Sequence, residues 1–364
     1  MRYLSKERRK FIRTDQRIVQ TVRHYGPLSR AELARRLDLS KPTVSVTVES
    51  LLQQGMLHEV GRGQLPAGRS PRLLAFNARY AVVAGVDLGA SNLRLCLADL
   101  DGQPLAGRVL PTPKGEDLAE QVVAELKRLQ EETLPGSQLA AVVMGTPGVV
   151  DGERIRFAPN LPALERPDFL RRLRGAFPCL LEVHNDVNLA AIAEGSAEAG
   201  MSVAFLAIGT GLGAAVARGT TVWSGDNGRA GEIGYLPFVS PVGQILEETL
   251  SGVGLSRLYR HFGGRGGAKE ALRGRNRAAQ QAREVLLEAL AYAVSVLTLS
   301  YDPGRIVLGG GVGLHLGPWL PQVNERLAAC LPFVVPLMIS SQGDSVTQQG
   351  AVILAIRRAE QELW

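Results

Sequence analysis

Three times in this chain an apolar, strand-like run ends in a glycine-rich turn. Ala81 to Asp87 runs into Asp87-Leu88-Gly89-Ala90-Ser91-Asn92, Val203 to Ile208 into Ile208-Gly209-Thr210-Gly211-Leu212-Gly213, and Ile306-Val307-Leu308 into Gly309-Gly310-Gly311. Further buried strands at Arg94 to Ala98 and Leu139 to Met144 alternate with helical stretches, the pattern of an α/β fold. Glycine lets the backbone approach a bound group closely, and a carboxylate such as Asp87 at the turn can hold magnesium beside phosphates. One such turn alone reads equally well as a hairpin with a polar tip. Three after three apolar strands ask for more.

Ahead of this body stands a segment of different character. Residues 1 to 80 hold 16 Lys and Arg against 6 Asp and Glu, and the rest of the chain holds 25 against 29, so the overall charge of +6 is local. A basic segment on a neutral-to-acidic body suits phosphate attraction, since each neutralised phosphate releases condensed counterions; a solvated tail is the alternative. Ile18, Val22 and Tyr25 recur at i, i+4 and i+7 and predict one face of a first helix, stopped by Gly26-Pro27. Ser29 and Glu32 supply both halves of a capping box for a second helix that buries Leu33, Ala34 and Leu37, with Leu28 stapling against Leu33. Asp38-Leu39 turns the chain and Ser40 caps a third helix, with Val44, Val48, Leu51 and Leu52 inward.

That leaves Ser40, Lys41, Thr43, Val46 and Thr47 as the residues expected in a DNA major groove, where Val46 suits a thymine methyl or is simply an exposed valine. Gly55 ends the helix. Met56 to Phe76 then reads as two strands around a loop, a wing, whose Arg62, Arg69 and Arg72 are candidates for a narrow minor groove. Helix, capped helix-turn-helix, wing and local charge agree on double-stranded DNA as a partner.

Other classes are disfavoured. No uninterrupted apolar run approaches the ~18 residues of a membrane span, and the amino terminus is charged, so a soluble, cytoplasmic protein of two or three domains is expected. Cys96, Cys179 and Cys330 are odd in number and widely spaced, which suggests neither disulfides nor a thiolate metal site. Arg277 to Ser300 reads as a buried core helix or a dimer contact.

The glycine turns resemble those of the two-lobed actin-like, ribonuclease H-like fold of sugar kinases and heat-shock ATPases, where they wrap ATP. Gly145-Thr146-Pro147-Gly148, Pro159-Asn160-Leu161-Pro162, Asn185-Asp186-Val187-Asn188 and Gly231-Glu232-Ile233-Gly234 are similar, in order and spacing, to motifs of the ROK family of repressors, open reading frames and kinases. With a winged helix-turn-helix in front, the whole chain resembles the sugar-responsive repressors of that family, such as the xylose and N-acetylglucosamine regulators. The expected organisation is a DNA-binding domain over 1–78 and a sugar-kinase-like domain over 79–364. Within the latter, lobe one spans about 79–187 plus 346–364 and lobe two about 188–345.

The resemblance implies a sugar pocket formed by Asn160, Asn185, Asp186, Glu232 and Glu247, with Glu248 a close competitor of Glu247. It implies a phosphate site, if retained, at Asp87, Gly89, Ser91, Gly209, Thr210 and Gly211, with Ala90 replacing a frequent glycine. In family kinases the aspartate matching Asp186 is the general base, and ATP with magnesium the cofactor; a repressor requires neither. One departure matters: family members follow the GEIGH element with a cysteine-rich stretch that holds structural zinc, whereas here Tyr235 replaces the histidine and every cysteine is missing. No zinc site is expected.

The favoured reading is a homodimeric or higher-order repressor on an inverted-repeat operator, responsive to a sugar. An ATP-dependent sugar kinase that also binds DNA, and a constitutive DNA-binding protein with an inert body, are the alternatives.

Overall fold

The computed structural model describes residues 3–62, 71–197, 200–333 and 335–363. The amino-terminal segment is helix α1 (Tyr3–Tyr25), a two-residue strand β1 (Leu28–Ser29), helices α2 (Arg30–Leu37) and α3 (Lys41–Gln53), and a hairpin of β2 (Leu57–Arg62) and β3 (Arg72–Phe76). The capping box forms: Ser29 Oγ accepts from the Glu32 amide and the Glu32 carboxylate from the Ser29 amide at 2.9 Å. Ser40 Oγ accepts from the Thr43 amide and starts α3. Strand β1, which the sequence did not announce, pairs with β3 and gives the sheet order β1-β3-β2, tying the wing to the entry of α2.

Ile18, Val19, Val22, Leu33, Val44, Val48, Leu51 and Leu74 close the core of this module. Two expectations fail here. Tyr25 stays outside, 55 % exposed and covered by the Arg36 guanidinium 4.7 Å from its ring centre, while Val19 fills the inward position. Thr47 is fully buried instead of outward, because it stands three residues after Val44 and four before Leu51 and so shares their inward face.

The body follows as β4 (Val82–Leu88), β5 (Asn92–Asp99), β6 (Pro104–Pro111), α4 (Leu118–Thr133), β7 (Leu139–Thr146), the short pair β8 (Val149–Val150) and β9 (Ile155–Arg156), α5 (Phe169–Gly175) and β10 (Leu180–Asn185). Of these strands, β4 to β7 and β10 form a sheet of order β10-β7-β4-β5-β6, and β8 and β9 pair separately. The chain then repeats the plan with α6 (Asp186–Ser196), β11 (Ser202–Ile208), β12 (Leu212–Arg218), β13 (Thr221–Val222), the hairpin β14 (Pro237–Ser240) and β15 (Gly243–Ile245), α7 (Gly252–His261), α8 (Ala268–Arg273), α9 (Arg277–Tyr301), β16 (Arg305–Gly309), α10 (Gly310–Gly313), α11 (Leu320–Cys330), β17 (Leu337–Ile339) and α12 (Val346–Leu363). The second sheet runs β13-β12-β11-β16-β17.

Strand alternation decides what covers each sheet. Val82, Ala84 and Val86 of β4 face the core under α4 and α5, and Val83 faces the core under α6 and α12. Helix α6 is apolar nearly all round, the composition of a helix buried on every side. It lies between the two sheets: Leu189 and Ile192 pack into the first lobe, Ala190, Ala191 and Ala193 into the second. Helix α9 is long and apolar enough to cross a membrane by length and composition, yet Ala279, Ala282, Leu286, Leu290, Ala293 and Leu297 line the second-lobe core. The packing realises its core-helix reading.

The amino-terminal module is fastened to this body. Phe76 and Tyr80 pack against both the module's core and the first-lobe core. Arg23 of α1 pairs with Asp101 at 3.1 Å and with Glu360 of α12, donates to the Leu100 carbonyl, and lies 5.3 Å from the Phe76 ring centre.

Helices α6 and α12 cross so closely that a Cβ on Gly350 would stand 1.8 Å from the Leu189 carbonyl oxygen. Gly350→Ala is therefore expected to destabilise the chain by about 1–3 kcal/mol, as forced overpacking does, measured as a lower urea midpoint at unchanged slope.

Candidate functional site

Two surfaces carry candidate functional residues. On α3, Lys41, Thr43, Ser45 and Val46 are exposed, Val46 by 62 %. Ser40 and Thr43 share a hydroxyl hydrogen bond of 2.7 Å at the helix start, so the cap also orders the first residues of this face. Ser45 was missed by the sequence reading, although the 100° periodicity that places Val44 inward places its neighbour outward. On the hairpin, Arg72 is paired with Glu59 at 2.6 Å and its charge is partly spent across the strands. Arg62 is in register with Arg72 on the main chain. Arg69 lies outside the described residues.

The second surface is a cleft of 670 Å3 between the lobes. Strand β10 delivers Asn185 and Asp186 to its floor. Asn185 caps α6, its Oδ1 accepting from the amides of Val187 at 2.9 Å and Asn188 at 3.2 Å while Nδ2 donates to the Gly148 carbonyl at 3.0 Å. Its oxygen and one N–H are thereby committed to the fold. Asp186 begins the helix, and burial, with the charges of Asp87 and Glu232 added, pushes its carboxyl up to about 7. Burial also raises Asp87, to about 6; Arg94, 3.2 Å away, opposes that rise and Asp344 adds to it.

Glu232, Glu247, Glu248 and Asp344 complete the acidic lining. Glu232 is raised by burial and then by the Glu247 charge. Glu247 Oε2 accepts from the Leu212 amide at 2.8 Å, and a Cβ at Gly211 would come within 2.6 Å of it. Glu248 instead accepts from the amides of Gln244 and Ile245 and closes the β14–β15 hairpin. Of the two glutamates left open by the sequence, Glu247 is thus the one seated on the glycine turn. Asn160, Gly209, Thr210, Gly211 and Tyr235 also line the cleft. Asp87, Gly89 and Ser91 are not part of its lining; Asp87 stands behind Arg94, and Ser91 is exposed at the β4–β5 turn.

Arg94, Phe157 and Arg257 line the cleft too and were missed. For Arg94 a signal existed, a charge in the middle of an otherwise apolar strand. Phe157 and Arg257 carry no local mark.

The β14–β15 hairpin is held by a polar clasp as well as by packing. Thr249 Oγ1 donates to Ser240 Oγ at 2.6 Å, Glu248 holds two amides, and the Phe238 and Tyr292 rings meet at 5.8 Å. Among the described residues, no group of three or more His, Cys, Asp or Glu is arranged to hold a metal ion.

The Gly209–Gly211 turn is partly closed on itself. The Gly209 amide donates to the Gly211 carbonyl at 2.9 Å and the Leu212 amide to Glu247. Carboxylates at Asp186, Glu232 and Glu247 repel a polyphosphate that no cation accompanies. As ionised carboxylates they accept hydrogen bonds from hydroxyl and N–H donors.

A model of the ROK family matches residues 83–358. The chain belongs to the ROK family. A helix-turn-helix domain model matches residues 13–60. The xylose repressor of Bacillus subtilis is 25 % identical over 226 residues, 60 % of this chain and 59 % of that protein. The chain thus spans under two thirds of the curated relatives it matches. The ROK hexokinase of Thermus thermophilus is similar in structure with a TM-score of 0.67 and 29 % identity, covering 77 % of this chain and 99 % of that one. A ROK transcriptional regulator described as a homologue of the Escherichia coli MLC protein has a TM-score of 0.77 at 18 % identity, covering 97 % and 98 %. That last match extends the fold likeness across the amino-terminal module.

A carboxyl raised in the folded state stabilises fully below its unfolded pKa and loses that contribution as pH climbs through the folded value. For Asp186 the loss falls between about 4 and about 7. Asp186→Asn is expected to raise stability at pH 8 by on the order of 2 kcal/mol and to change little at pH 4, read from denaturation at both values.

Proposed function

We propose that this ROK-family chain is a sugar-responsive, DNA-binding transcription regulator, a cytoplasmic repressor of carbohydrate uptake or catabolism genes. In this reading two copies grip an inverted repeat, with Lys41, Thr43, Ser45 and Val46 of α3 in the major groove and the wing arginines beside it. A sugar binds in the cleft against Asn160, Asp186, Glu232 and Glu247, with the remaining N–H of Asn185 as a further donor. The division near residue 78 separates the two functions.

The observation that carries this reading is helix α12. It begins at the cleft, where Val346 and Thr347 are lining residues, and Glu360 near its other end holds Arg23 of α1. A ligand that draws the lobes together shifts α12 against α6, and the clasp passes that shift to the DNA-reading helices. Mobility shift against the DNA upstream of the chain's own gene, with and without candidate sugars, tests it. Failure of every sugar to alter operator affinity defeats the sensing half.

A kinase reading draws on a different observation, the position of Asp186 near neutrality, which suits a general base. ATP with magnesium would then be required, held at the glycine turn. ADP release in a coupled assay separates the readings, since a sensor binds sugar without turnover.

The clasp gives a sharper test. Arg23→Ala is expected to leave sugar affinity within about twofold of the parent while the sugar-dependent change in operator affinity shrinks by about fivefold or more, in titrations of each ligand with and without the other. Equal sugar dependence in parent and variant would remove Arg23 from the route.

A further inference from the structure

A second cavity, of 630 Å3, adjoins the cleft. The two share Val149, Phe157, Asn185, Asn188 and Gly228 as walls. The second chamber takes no part of its lining from the Gly209–Gly211 turn, Asp186 or Glu247, so it extends the cleft away from the phosphate turn. Each chamber alone lies within the roughly 300–1,000 Å3 of an ordinary small-molecule site. A monosaccharide held over Asp186 leaves the second one to be filled.

The chemistry of the walls says by what. Four arginines stand against three carboxylates, and most of the charges are already matched. Arg156 pairs with Asp151 at 3.2 Å, and Glu182 accepts from Arg358 at 2.8 Å and meets His184 at 3.0 Å. Arg174 donates to the Gly152 carbonyl at 2.7 Å. Arg229 and Asp226, of opposite sign, are exposed on the second-lobe loop. With two ion pairs closed, Arg174 held on a carbonyl and one positive charge in excess, the wall offers an anion no concentrated charge. Its many donors and acceptors suit hydroxyl groups.

Between the chambers stands Phe157, 57 % exposed and held at φ +58°, a backbone conformation that non-glycine residues rarely keep except where the surroundings impose it. An exposed aromatic face bounding both spaces is a platform for the C–H face of a pyranose ring. The loop that roofs them sits close, for Gly228 has φ +67° and a Cβ there would reach within 3.0 Å of the Val150 carbonyl.

We propose that the ligand class of this site is a neutral disaccharide or glycoside, one unit over Asp186 and the other in the second chamber across Phe157. The inference rests on the sugar-sensing reading above. Because the chamber is walled by both lobes, a two-unit ligand spans them more fully than a single sugar.

Calorimetry of the full chain with neutral disaccharides, their constituent monosaccharides, and the matching sugar phosphates and uronic acids tests this. At least one disaccharide is expected to bind about tenfold or more tightly than either of its units, and more tightly than any phosphate or uronate. Ser224→Trp, at an exposed position that lines the second chamber alone, should abolish that advantage and leave monosaccharide affinity within about twofold; Arg229→Ala, also outside the first chamber, should reduce it in the same direction. Monosaccharides binding as tightly as disaccharides, a preferred anion, or an equal loss for both ligand sizes in Ser224→Trp would overturn the proposal and leave the sugar reading standing. Silence from every sugar, large or small, would remove both.

Discussion

The structure turns on one helix held between two sheets. Helix α6 is packed by the first lobe through Leu189 and Ile192 and by the second through Ala190, Ala191 and Ala193, so it belongs to both. Its small residues and Gly350 let α12 cross it almost backbone to backbone. Asp186 opens this helix, which puts a carboxyl at the floor of the cleft where neither lobe can move without changing its surroundings. Close packing of this kind deforms in discrete steps, a suitable basis for coupling a ligand to a distant surface.

Electrostatics give the cleft its character. Asp186, Glu232 and Glu247 are gathered with Arg94 and Arg257 as the nearby cations, and Asp87 stands behind Arg94. Burial, with the charges of Asp87 and Glu232 added, raises Asp186 to about 7, so part of its population carries a proton near neutrality and can donate as well as accept. A sugar hydroxyl needs both kinds of partner. The same crowding opposes a nucleotide, and Glu247 on the Leu212 amide takes one of the N–H groups a phosphate would use.

The hairpin after Glu232 is held by side-chain contacts within it and by packing on the second-lobe core. Ser240, Thr249 and Glu248 tie the strands through short polar contacts, and Phe238 packs on Tyr292 of the long core helix. Both Glu247 and Glu248 reach the cleft, but Glu248 is held by the Gln244 and Ile245 amides while Glu247 sits on the Leu212 amide of the glycine turn.

Local chemistry was legible in the sequence: the Ser29 and Ser40 caps, the helix-turn-helix, the wing strands, the glycine turns and the confinement of positive charge all depend on residues near one another in the chain. The family motifs likewise named the cleft carboxylates. What the sequence left open required packing. Tyr25 turned outward where Val19 took the inward position, and β1 existed only because β3 offered it an edge; the inward turn of Thr47, by contrast, follows from its helical spacing to Val44 and Leu51. Glu247 and Glu248 could be told apart only once the hairpin had folded. Arg23 met Glu360 across 337 residues, and Phe157 became a wall between two chambers, through contacts that no local pattern encodes. The sequence determined the elements and their chemical types, because propensity, capping and periodicity act over a few residues. The tertiary structure decided which of those groups share a site, because burial and proximity exist only when distant segments are brought together.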